Sequence, residues 1–83
     1  MTEINIRLSS VRDVQKFVGT LTTLPGDFEL TRGAYVLDAR SLMGIFGFDL
    51  TKPLRLRVHD DRPETLAAIR PYQVDGEDDT DEQ

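Results

Sequence analysis

The chain has 83 residues, 39% of them hydrophobic, with no cysteine and a single histidine, His59. That is room for one small domain, and it excludes a disulfide framework, a thiolate nucleophile and a histidine-built zinc cluster. No metal or other cofactor is expected. No apolar run approaches the roughly 20 residues that cross a bilayer. Met1 to Arg7 mixes charges and lacks a signal-peptide core, so the expected setting is the cytoplasm, away from membranes.

The formal net charge of −5 is unevenly spread. Residues 1–74 hold nine of the 15 acids and all ten bases, a net +1, while Asp75, Glu77, Asp78, Asp79, Asp81 and Glu82 make the last nine residues strongly anionic. The reading is therefore a domain over residues 1–74 and a disordered acidic tail over 75–83. Eight of the ten bases are arginine, the type suited to bidentate contacts with phosphate or carboxylate. Composition alone also accounts for them.

Ile4, Ile6 and Leu8 alternate with Asn5 and Arg7, the pattern of a half-buried strand. Ser9 and Ser10 can each cap a helix, and Val11, Val14, Phe17, Val18 and Leu21 follow at helical spacing, with Asp13 in the first turn. Leu24-Pro25-Gly26 ends that helix. Phe28 and Leu30 mark a second strand, Arg32-Gly33 a turn, and Ala34 to Asp38 a third strand hairpinned to the second. Ser41 can cap a short helix through Leu42, Met43, Ile45 and Phe46. After the loop from Asp49 to Pro53, Leu54, Leu56 and Val58 alternate with Arg55, Arg57 and His59 in a fourth strand. Pro63 suits the first turn of a last helix carrying Leu66, Ala67 and Ile69, stopped near Pro71, with Tyr72 and Val74 docking back on the core.

The order β-α-β-β-α-β-α predicts an α+β open-faced sandwich: a four-stranded antiparallel sheet with helices on one face. Phe17, Val18, Leu21, Leu54, Leu56, Val58, Leu66 and Ile69 are expected to be largely buried.

The element order and the segment Val36-Leu37-Asp38-Ala39-Arg40-Ser41-Leu42-Met43-Gly44-Ile45-Phe46 resemble HPr, the histidine-containing phosphocarrier family. In that family a strand runs through a basic residue into a regulatory serine and a short apolar helix. The resemblance covers residues 2 to about 74 and implies the HPr fold. It also implies a tie to the phosphoenolpyruvate-dependent sugar phosphotransferase system. The family's phosphoacceptor histidine, followed by a small residue, an arginine and a proline, falls on Ser10-Val11-Arg12-Asp13. Arg12 stands where the arginine belongs, but Ser10 replaces the histidine and Asp13 the proline. The phosphocarrier chemistry is thereby removed and an anion placed beside the phosphate position, so the chain is not expected to be an enzyme or a carrier.

The resemblance makes Ser41 the candidate for regulatory phosphorylation, with Arg40 nearby; capping the short helix is its plain structural role. Leu42, Met43, Phe46 and Phe48 exceed what one short helix can bury on one face, which favours a patch for a protein partner. By resemblance that partner is a phosphotransferase-system component, a serine kinase or a transcription regulator, and Arg12 and Arg40 join the partner-binding set. The row Arg55, Arg57, His59 reads as a solvated sheet face. Nucleic-acid binding would want more positive charge and stacking aromatics. A monomer is expected. Two alternatives remain open: a phosphocarrier whose acceptor is unrecognised, with His59 and Ser10 the weak candidates, and a structural interaction module on the same fold.

Overall fold

Alternation along the sequence becomes sidedness in the sheet. The computed structural model describes residues 1–75. Along them run β1 (Thr2–Ile6), α1 (Val11–Thr22), β2 (Phe28–Arg32), β3 (Tyr35–Asp38), α2 (Leu42–Ile45), β4 (Leu54–Val58) and α3 (Pro63–Ile69), then a single 3-10 turn over Arg70–Tyr72. The four strands lie in the order β1-β4-β2-β3, every neighbouring pair antiparallel. Register places Ile4, Leu56, Leu30 and Leu37 in one row across the sheet, and Glu3, Arg57, Glu29 and Asp38 in the adjacent row. A one-residue slip of any strand would exchange the two sets. The apolar rows face the helices and the polar rows face solvent, as the open-faced sandwich requires.

Val14, Phe17 and Leu21 of α1, Ile45 of α2 and Ile69 of α3 close over Ile6, Phe28, Leu30, Leu54, Leu56 and Val58, none more than 2% exposed. Phe17 lies at the centre and meets Tyr72 edge to face, ring centroids 5.2 Å apart, so the chain after α3 does dock on the core. Two expectations need correction. Val18 and Leu66 are only half-buried and pack against the rim of the core, because their helices turn them past the edge of the layer. The strand boundaries also shift: β1 starts at Thr2, leaving Leu8 buried beyond its end, and Ala34 belongs to the β2–β3 turn. Gly33 opens that two-residue turn with φ +58°, the left-handed conformation that a type II′ hairpin asks of its first central residue. Gly26, at φ +86°, lets the chain leave α1 directly against Asp60, where a Cβ would collide with the Asp60 Cβ. The expected acidic tail, apart from Asp75, lies outside the described residues.

Backbone hydrogen bonds alternate with the same period. Ala39 N–H donates to the Phe28 carbonyl and His59 N–H to the Asp27 carbonyl. The antiparallel ladder then gives the even residues of β2 to β3 and the odd ones to β4. On β1 the outward groups are used: Arg7 N–H donates to the Tyr72 carbonyl and Val74 N–H to the Asn5 carbonyl, 2.9 and 2.8 Å. Gln73 bridges antiparallel to Ile6. The last described residues thus cover the end of the β1 edge, from Asn5 to Arg7. On β3 the groups of Val36 and Asp38 point away from β2, at the other edge.

Phe17→Ala should cost about 3–5 kcal/mol, the range for emptying a fully buried phenylalanine site. Urea denaturation of the variant would then show a loss large enough to unfold much of the population near room temperature.

Candidate functional site

The start of α1 is capped by the chain's own groups. Ser10, at φ −150° and ψ 167°, is the N-cap. Its hydroxyl accepts from the Asp13 N–H at 3.0 Å, while the Asp13 carboxylate accepts from the Ser9 N–H at 3.1 Å. The arrangement resembles a capping box displaced by one residue: the Asp13 N–H, a helix-start donor, is satisfied, and the carboxylate takes the amide just before the N-cap. A carboxylate therefore sits where the helix dipole would favour an incoming anion. Arg12 is exposed in the same turn.

On the other helical side, Ser41 is the exposed N-cap of α2, its hydroxyl accepting from the Gly44 N–H at 3.3 Å. Gly44 has no room to spare: a Cβ there would lie 2.9 Å from the Ser41 hydroxyl oxygen. The four expected apolar residues divide. Leu42 and Phe48 are half-buried and pack on the core, whereas Met43 is 80% exposed and Phe46 39%. The exposed part of the patch is therefore Met43 and Phe46. Beside it runs a groove of about 440 Å³ between β3 and the α2 region, lined by Tyr35, Val36, Leu37, Gly44, Gly47 and Phe48 with Arg32 and Asp49 at its rim. Tyr35 and Val36 are 75% and 51% exposed. Sequence reasoning placed both in a strand but not at an edge, because a four-residue strand carries no local sign of which side is paired.

Arg40 needs correction. Its guanidinium does not stand free beside Ser41. It donates from Nε and Nη2 to the Leu21 carbonyl at 3.1 and 3.0 Å, and from Nη2 to the Leu24 carbonyl at 2.9 Å, and it lies 5.0 Å from the centroid of Phe28. Those carbonyls lie at the end of α1, where the Leu21 carbonyl also accepts from the Leu24 N–H at 3.1 Å, and Arg40 ties that end to the sheet. Arg32 does the same for the loop before β4: its guanidinium donates to the carbonyls of Asp49, Lys52 and Pro53 and stacks over Phe48.

The open face of the sheet is a charge ladder. Arg55 and Arg57 both reach Glu3 at 3.3 Å, and Glu29 faces Arg57 at 3.5 Å and His59 at 3.1 Å. The hydrogen bond to His59 holds the Glu29 carboxyl below its usual value of 4.5, against an opposing desolvation and with further help from Arg57. The arginine row is thus largely answered by the strands' own glutamates. Among the described residues no cluster of three or more histidines and acids is placed to hold a metal ion, and no helix is long and apolar enough to cross a membrane.

Arg40→Ala should cost about 1–3 kcal/mol, the penalty for leaving the partly buried Leu24 carbonyl without its donor and the Leu21 carbonyl without its charged one. Arg40→Lys should recover little of it, because one ammonium cannot span both carbonyls and lie flat on Phe28. Urea midpoints of the two variants measure this.

The sequence matches no family model. Nor does any curated protein match it. Among solved structures it is similar to HPr-C-His from Thermoanaerobacter tengcongensis, with a TM-score of 0.69 and 22% identity over 83% of this chain and 86% of that one. With four antiparallel strands and the helices on one face, this chain has the fold of HPr.

Proposed function

We propose that this protein is a non-catalytic binding and regulatory module built on the HPr fold, which docks on a partner protein through α2 and does not carry phosphoryl groups. The observation that carries the reading is the exposure of Met43 and Phe46 on α2 beside the exposed hydroxyl of Ser41. Large apolar side chains left in water on a short helix are what an interaction patch consists of. Their neighbour is the one residue at which a phosphate could alter that patch directly.

Three further points support it. The α1 start holds a carboxylate and a capping serine in place of an acceptor histidine. His59, the remaining imidazole, belongs to the open-face ladder with Glu29. The likeness to HPr directs attention to phosphotransferase-system components, a serine kinase or a transcription regulator as partners. Phosphate on Ser41 would bring two charges and three strong acceptors to the patch. It would meet the Gly44 N–H, not the Arg40 side chain. It would repel acidic partners and favour arginine-bearing ones.

Incubation with phosphoenolpyruvate and the first enzyme of the sugar phosphotransferase system should leave the protein without an acid-labile phosphate, by mass spectrometry. An HPr-type serine kinase with ATP should add one phosphate, lost in Ser41→Ala. Met43→Ala should fold normally and weaken partner binding by roughly 5–30-fold, the effect of truncating an interface anchor. An acid-labile phosphate on His59 would overturn the reading.

A further inference from the structure

We propose that the free edge of β3 binds an extended peptide as a fifth strand, and that the peptide it fits alternates apolar and basic side chains. This rests on the reading of the protein as a binding module and supplies the chemistry of a partner.

The sheet has two edges, and they are treated differently. At the C-terminal end of β1 the Asn5 carbonyl and the Arg7 N–H are met by Val74 and Tyr72. At β3 the ladder turns the N–H and carbonyl of Val36, and the N–H of Asp38, away from β2. The Asp38 carbonyl accepts from Ser41 N–H; among the described residues no hydrogen bond uses the other three groups. Proteins usually guard such an edge with lysine, proline, a bulge or a covering segment. Here it carries exposed Tyr35 and Val36, two of the residue types that pair best across strands.

The two sides of the edge set the chemistry of the occupant. A strand added to β3 places alternate side chains on opposite faces. On the helix side they meet the apolar groove formed by Tyr35, Leu37, Gly44 and Phe48. On the open side the hollow beside the edge is walled by Asp27, Glu29 and Asp38, with His59 opposite. Glu29 is shared with Arg57 and His59, but among the described residues neither Asp27 nor Asp38 has an ion-pair partner. Apolar side chains fit the groove and lysine or arginine fits the acidic wall. A second copy does not satisfy this: two β3 edges would bring the acidic walls together, and at the β1 edge of a second copy the chain after α3 already lies along Asn5 to Arg7. Main-chain pairing with side-chain pockets on alternate positions is an established mode of peptide recognition.

The test is a titration of the full chain with a synthetic eight-residue peptide alternating valine and lysine, followed by amide NMR. Saturable shifts and slowed hydrogen exchange are expected at Val36 and Asp38, with binding weakened by added salt. The valine–glutamate counterpart should bind at least ten-fold more weakly, as should a valine–lysine peptide methylated at the amides of one edge. Val36→Pro removes an outward N–H without touching the β2–β3 ladder and should also lose at least ten-fold. If that variant does not fold, the methylated peptide makes the same discrimination. Equal binding of the lysine and glutamate peptides, shifts confined to α2, or no saturation at Val36 and Asp38 would overturn the proposal. Those results leave the α2 reading standing; a Met43→Ala variant that binds its partner normally would undo that reading and leave the peptide result intact.

Discussion

Everything in this protein follows from the two-residue period of its sheet. The same alternation that sends Ile4, Leu56, Leu30 and Leu37 to the helices sends Glu3, Arg57, Glu29 and Asp38 to water. It also decides which backbone groups pair inward and which are left at the edges. Because the chain after α3 returns along β1, that edge is used within the fold. The β3 edge is left beside α2, so an unpaired strand and the exposed Met43 and Phe46 come to share one side of the molecule.

The arginines divide by what they can reach. Arg40 and Arg32 lie beside chain turns that crowd several carbonyls together, and a planar group with five N–H donors can serve two or three of them while stacking on an aromatic ring. Both are therefore parts of the scaffold. Arg55 and Arg57 face glutamates across the open sheet, in solvent, where such pairs contribute little to stability.

Much of the fold was legible in the sequence. The alternation in β1, β2 and β4 and the spacing of Val14, Phe17 and Leu21 give strand faces and helix stripe from local pattern alone. Ser41 announced the cap of α2, and Ser9 and Ser10 narrowed that of α1 to two residues, of which Ser10 is the one used. What stayed hidden was long-range. The partners of Arg40 are 19 and 16 residues away in sequence, and nothing local says that its guanidinium turns to the end of α1 and not to Ser41. The division of the α2 patch into packed Leu42 and Phe48 and exposed Met43 and Phe46 likewise depends on how a four-residue helix is seated. The free edge at β3 depends on strand order, which periodicity does not encode.

The claim that separates this chain from a phosphocarrier is that its own carboxylate stands at the anion position at the start of α1. It is tested most directly by titrating inorganic phosphate into the protein while following the amides of Ser9, Ser10 and Asp13 by NMR. A flat response is expected, because Ser10 already takes the Asp13 N–H, the Asp13 carboxylate takes the Ser9 N–H, and that carboxylate repels a second anion. Saturable shifts at those three amides in the native chain would contradict it.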